Sequence, residues 1–124
     1  MSARDPLTQK IIGLAIEVHK ELGPGLMESA YEACLCHELL INKLPFQRQV
    51  PIPVEYKSEK LESGFRADLI VDEQVLLELK SVEKLAPIHE AQILTYLKLS
   101  GIRTGLLLNF NERVLKDGIK RFVL

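Results

Sequence analysis

The sequence is short of cysteine, of long apolar stretches and of surplus positive charge, and each shortage narrows what the protein can do. Cys34 and Cys36 are its two cysteines. Two positions apart on a predicted helix, their side chains diverge, so a disulfide between them is geometrically awkward. No second pair exists to complete a zinc or iron–sulfur site, and both read as buried thiols. No stretch approaches the roughly 18–20 apolar residues that a membrane span needs. The opening Met1-Ser2-Ala3-Arg4-Asp5-Pro6 has no apolar core behind a basic segment, so no signal peptide is expected and the cytoplasm is the expected location. Sixteen Lys and Arg stand against 17 Asp and Glu, a formal net charge of −1. That balance argues against a tight, non-specific nucleic-acid-binding module. It leaves open an enzyme whose acidic site is offset by bound metal. No repeat, low-complexity segment or linker interrupts the chain.

What is present is enough for a core. Hydrophobic residues make up 47% of 124 positions, which fits one globular domain over residues 1–124. Asp5-Pro6 opens a helix, an N-cap acceptor followed by proline in the first turn. Ile11, Ala15, Val18 and Leu22 recur at helical spacing until Gly23-Pro24-Gly25 ends the element. His19 lies near that stripe and reads as a partly buried histidine rather than a ligand. A second helix is predicted from about Met27 to Asn42, with Glu28 in its first turn, where the macrodipole favours a carboxylate. From Phe46 the texture changes to period two. Phe46–Val50 and Ile52–Tyr56 read as strand segments, with Pro51 and Pro53 implying an edge or bulge, and Lys57-Ser58-Glu59-Lys60 as a polar turn. Two strands meet at Asp72-Glu73-Gln74, Pro87 opens a helix through Ser100 capped by Gly101, and Gly105–Phe110 and Ile119–Leu124 complete a sheet. The predicted order is α-α-β-β-β-β-α-β-β, an α/β fold with a mixed central sheet flanked by helices.

The chemistry concentrates where Gly64-Phe65-Arg66-Ala67-Asp68-Leu69-Ile70-Val71 is followed, across the turn, by Val75-Leu76-Leu77-Glu78-Leu79-Lys80. Side chains alternate along a strand, so Glu78 and Lys80 share a face, and a hairpin at 72–74 lays Asp68 beside Glu78. Carboxylates on otherwise apolar strands are rarely buried unless paired or metal-bound. Two of them beside an ammonium group suit a hard divalent cation held by oxygens; the alternative is a surface ion pair of little energetic weight. Glu55-Tyr56-Lys57 repeats the Glu-x-Lys triplet, but no strand aspartate precedes it.

The ordered set of motifs resembles the PD-(D/E)xK nuclease superfamily. Asp68…Glu78-Leu79-Lys80 is similar to its active-site signature, with Ala67 where a proline often stands. Gln92-Ile93-Leu94-Thr95-Tyr96 matches the Q-x-x-x-Y of its RecB-type members, and Gly25-Leu26-Met27-Glu28-Ser29-Ala30-Tyr31 is a literal G-x-x-E-x-x-Y, the string that names the GxxExxY family. The similarity runs from about Ile11 to Val123. It implies a restriction-endonuclease-like core and a metal-dependent nuclease acting on nucleic acid, most readily DNA, in repair, recombination or defence. Asp68, Glu78 and the Leu79 carbonyl would hold Mg²⁺ or Mn²⁺, with Glu28 as a further acid at the same cluster or a plain helix-terminus carboxylate. Lys80 would orient the attacking water or stabilise developing charge. Gln92 would touch the lysine, water or substrate, with Tyr96 supporting it or packing on the sheet, and Tyr31 is expected to pack. His89 and Glu90 read as a solvated helix face. Arg66 shares the Asp68 face and would meet either phosphate or a local acid. No membrane partner is implied, and with so little positive charge, substrate capture would fall to a homodimer or a partner protein. The competing reading is a non-catalytic binding or interaction module that keeps the nuclease fold.

Overall fold

The structure is a computed structural model and describes residues 5–124. The Met1–Arg4 segment, on which the expectation of no leader rests, lies outside the described residues. Among the described residues no helix is long and apolar enough to cross a membrane. Helix α1 spans Pro6–Leu22 and α2 Glu28–Ile41. Strands β1 Phe46–Pro51, β2 Val54–Tyr56, β3 Glu59–Leu61, β4 Arg66–Val71 and β5 Val75–Lys80 follow. Then come α3 Pro87–Ser100, β6 Thr104–Asn109, a 3₁₀ turn at Leu115–Gly118 and β7 Ile119–Val123.

Capping chemistry sets the helix ends. The Asp5 carboxylate accepts from the Leu7 N–H and the Thr8 hydroxyl, closing the start of α1. Gly101 ends α3 in the left-handed conformation at φ 77°. The amide of Ala86 donates to Nδ1 of His89, so this histidine closes the start of α3 rather than lining a solvated face.

Five strands form one mixed sheet in the order β1-β4-β5-β6-β7. β5 and β6 run parallel, joined by α3, and every other neighbour is antiparallel. Both faces of the sheet are covered. Ile11, Leu14, Tyr31, Leu35 and Leu39 of α1 and α2 pack on Leu77, Leu79, Leu106 and Leu108. Ile93, Tyr96 and Leu97 of α3 pack on Ile70, Leu76 and Leu107. Central strands buried on both sides explain the continuous apolar text of β5 and β6.

The mixed α/β architecture expected from the sequence is therefore present, with one strand more than the predicted order. Glu59-Lys60, taken as turn, belongs to β3, which pairs with β2 in a separate two-stranded sheet. The turn is Lys57-Ser58, both at positive φ (48° and 70°). Every residue of β3 is exposed, so no buried face imposes the alternation that marks a strand in sequence. Ile52-Pro53 likewise breaks the predicted Ile52–Tyr56 strand, and β1 is an edge strand, as the prolines imply.

The closest backbone approach lies at the far end of the sheet. A Cβ on Gly118 would stand 2.6 Å from the Asn109 carbonyl oxygen, whereas one on Gly105 would meet only side-chain atoms of Ile93 and Leu97 at 3.1–3.2 Å. Gly118→Ala should lower stability by about 1–3 kcal/mol, because backbone must move. Gly105→Ala should cost less; equal midpoints in urea would show that the 3₁₀ turn yields freely.

Candidate active site

β4 and β5 pair regularly from Val71↔Val75 to Leu69↔Leu77, and the ladder then stops at the position where Asp68 faces Glu78. Side chains replace the missing backbone bonds. The Asp68 N–H donates to Oε2 of Glu78 at 2.9 Å, and the Leu79 N–H donates to Oδ2 of Asp68 at 2.8 Å. Each carboxylate is thus anchored by one oxygen to the other's strand, in the gap left where β4 turns toward β1 and β5 toward β6. A strand residue's N–H and C=O point to the same side, so the Leu79 carbonyl also looks into this gap.

The pair is electrostatically uncomfortable. Glu78 is 4% exposed. Burial, then the negative charge of Asp68, pushes its carboxyl up from the usual range to about 8, against the backbone bond from Asp68 and the positive charge of Lys80. Glu28 adds further to that rise. Burial also raises Asp68, with Glu32 contributing, while the Leu79 hydrogen bond and Lys80 oppose it. A buried and a half-buried acid that both resist ionisation without help are the donor set that a hard cation would relieve. Lys80 lies near enough to lower both acids, yet among the described residues it forms no ion pair within 4.0 Å.

Glu28 occupies an exposed position at the start of α2, and its Oε2 accepts from the Ser81 N–H at 3.2 Å, one residue past Lys80. Among the described residues no three acid, histidine or cysteine side chains converge as a ready-made metal cluster; Asp68 and Glu78 stand as a pair, with Glu28 at its margin. The spacing of G-x-x-E-x-x-Y has a physical basis here. Tyr31 is fully buried, stacked on Phe110 at 4.5 Å, and its hydroxyl donates to the Gly23 carbonyl and accepts from the Leu26 N–H. The loop so fixed offers the Leu26 carbonyl to the Ser81 hydroxyl at 2.6 Å. Tyr31 therefore packs, as expected, and also sets the loop that places Glu28.

On the opposite wall, α3 brings Gln92 and Tyr96 over the sheet. Burial, then the charges of Glu78 and Asp68, raises the Tyr96 phenol. Gln92 is half-buried and lines a groove with Phe65, Ile88, Ala91, Thr95 and Tyr96; its amide makes no side-chain hydrogen bond among the described residues. Arg66 reaches neither acid; its guanidinium donates to the Gln49 carbonyl at 3.3 Å.

Four further residues were invisible to motif reading. Glu32, one helical turn beyond Glu28, is buried and takes Arg48 on one oxygen and Gln49 on the other. Gln49 sits at φ 50° and also approaches Oδ1 of Asp68 at 3.4 Å, linking the two acids. Asn109 is fully buried, its amide clasping both the N–H and the C=O of Val82 just beyond Lys80. Only the polar letter inside the apolar run of β6 could have singled it out. His19 is buried, with Nε2–H donating to the Glu112 carbonyl at 2.7 Å, and takes no part in the site.

The Glu55-Tyr56-Lys57 triplet stands on the detached β2–β3 hairpin, exposed, with Lys57 over the Tyr56 ring. In any cleavage assay Glu55→Gln should match the unsubstituted protein; a folded Glu55→Gln protein that had lost activity would mean that the wrong triplet had been chosen.

A family model described as the PD-(D/E)XK nuclease superfamily matches residues 5–122. No curated protein and no solved structure matches the chain.

Proposed function

The chain belongs to the PD-(D/E)XK nuclease superfamily, and from that premise we propose that it is a metal-dependent nuclease hydrolysing phosphodiester bonds in DNA. We place it in the GxxExxY branch on the strength of Gly25, Glu28 and Tyr31. Superfamily membership points to a nuclease; substrate, metal and role are our reading of the site. The observation that carries it is the reciprocal anchoring of Asp68 and Glu78, which holds two resistant carboxylates in one gap with Lys80 beside them. A bound Mg²⁺ or Mn²⁺ would polarise the phosphate and acidify a water at that gap.

The protein's own groups supply the rest. Oδ1 of Asp68 and Oε1 of Glu78 are the oxygens not committed to backbone N–H groups, and with the Leu79 carbonyl they would be the ligands. Glu28 contributes negative charge at the margin. The Lys80 ammonium can hold the attacking water or meet charge developing on the phosphoryl oxygens, a preorganised contact of the kind that dominates many active sites. Gln92 can donate to water or substrate from α3, supported by Tyr96. One nuclease-like domain over residues 1–124, working in the cytoplasm with a second copy or a partner protein to gather substrate, completes the reading. The competing reading, a binding module with a dead site, is disfavoured because both acids and the lysine are present and mutually arranged.

The test is incubation of purified protein with single- and double-stranded DNA and RNA, with Mg²⁺, Mn²⁺ or EDTA, beside Lys80→Ala. Cation-dependent cleavage that falls in Lys80→Ala supports the assignment; no cleavage of any substrate with either cation removes it.

A further inference from the structure

We propose that Gln49 is a positioning residue for Asp68: a strained strand residue whose amide fixes the carboxylate oxygen left for the cation. This role rests on the metal-dependent nuclease reading above and adds a residue to its site.

The backbone singles Gln49 out. Six described residues other than glycine sit at positive φ. Lys43 follows the end of α2, and Lys57, Ser58, Asp72 and Glu73 make hairpin turns; Gln49, at φ 50°, alone lies inside a strand. Pairing of β1 with β4 runs to Arg48↔Leu69 and resumes at Val50↔Ala67, so the break falls where Gln49 faces Asp68. On the other flank of β4 the ladder to β5 ends at Leu69, again just short of Asp68. Asp68 is thus free of regular pairing on both sides, and side chains hold it instead. A left-handed residue with no turn to make is costly for an L side chain. Glycine would adopt it without strain, and Asn or Asp more readily than Gln. What Gln brings is reach.

That reach is spent on two acids. Nε2 of Gln49 donates to Oε1 of Glu32 at 2.9 Å and to Oδ1 of Asp68 at 3.4 Å. An amide nitrogen carries two hydrogens and ionised carboxylates only accept, so one amide orientation serves both neighbours. Glu32 is buried on α2, and its other oxygen takes Nε and Nη2 of Arg48, each at 3.1 Å. A strut therefore runs from a fixed helix residue, through Gln49, to the acid on β4. The Leu79 N–H holds Oδ2 of Asp68 at 2.8 Å, and Gln49 meets Oδ1, the oxygen not committed to backbone. Contacts on both oxygens set the rotation of the carboxylate plane, which a single contact leaves loose. Groups that orient a metal ligand in this way typically contribute about 10- to 100-fold in affinity.

The experiment compares Gln49→Gly, Gln49→Asn and Gln47→Gly by calorimetric titration with Mn²⁺ and by thermal melting without cation. Gly and Asn both suit the left-handed backbone, and neither has the length to bridge the two acids. Each substitution at Gln49 should weaken Mn²⁺ binding by about 10- to 100-fold. Melting temperatures of both should stay within about 5 °C of the unsubstituted protein, because relief of strain offsets the lost bond to Glu32. Gln47, exposed on the same strand, is the control; Gln47→Gly should melt lower and keep full Mn²⁺ affinity. If the unsubstituted protein binds no Mn²⁺, the metal reading fails and the role of Gln49 with it. If it binds and Gln49→Asn keeps its affinity, any loss in Gln49→Gly reflects backbone freedom, and the positioning role alone is overturned.

Discussion

Asp68→Asn and Glu78→Gln should each abolish cation-dependent cleavage while leaving the protein folded, and Lys80→Ala should lower it by about a hundredfold or more. Losing either acid affects ligation and the positioning of the nucleophile together, so no partial activity is expected from them. The amide substitutions are the informative ones. Asn and Gln each keep an oxygen that can accept from Leu79 N–H or Asp68 N–H, the bonds that tie β4 to β5 where the ladder stops. Alanine would instead strand those N–H groups, at a cost of about 1–3 kcal/mol each. Activity and stability should therefore separate in Asp68→Asn and Glu78→Gln and fall together in Asp68→Ala. Residual cleavage unaffected by all of these substitutions would belong to a contaminating nuclease.

Without added cation, the protein should lose stability as pH rises from about 5 to above 8, opposite to the trend expected of acids held in salt bridges. Glu78 is raised in the folded state to about 8 from an ordinary value of 4.5. The folded form therefore holds a proton that the unfolded form has released. Its contribution is fully present below pH 4.5 and is lost as pH climbs through about 8. Asp68 is raised as well and acts in the same direction. The effect is on the order of a few kcal/mol, or about 5–15 °C in melting temperature. Glu78→Gln should remove most of this slope and melt higher than the unsubstituted protein at pH 8.5. Mn²⁺ should reverse the trend, raising the melting temperature more at pH 8 than at pH 5.5, since cation and proton compete for the same carboxylates. A flat melting profile between pH 5 and 8.5 without cation would show that the acid pair is better solvated than its burial implies.

Adjacency of Asp68 and Glu78 was legible because period-two alternation, a polar triplet at 72–74 and an apolar frame leave a single register that buries the right face. Helix ends at Asp5-Pro6 and Gly101 were legible because capping is local chemistry. The β3 strand was not, because an exposed two-stranded hairpin has no buried face to impose a pattern, and its Lys57-Ser58 turn contains neither Gly nor Asn. The second layer of the site was hidden for a different reason. Glu32, Gln49 and Arg48 come from α2 and an edge strand, and meet only once the sheet is assembled. Asn109 acts on the backbone of Val82, a contact that no side-chain pairing rule anticipates. Motifs point to the groups proposed to do the chemistry; the supporting groups come together only in the folded structure.

The central claim is that Asp68 and Glu78 form a site for a divalent cation, and calorimetric titration of the protein with Mn²⁺ tests it most directly. At pH 7, in two buffers of different ionisation enthalpy, the account predicts one binding event accompanied by release of about one proton, because the raised Glu78 carboxyl must give up its proton to bind. Both the binding and the proton release should vanish in Asp68→Asn and in Glu78→Gln. Absence of binding in the unsubstituted protein, or binding of equal strength in both substituted proteins, would contradict the account.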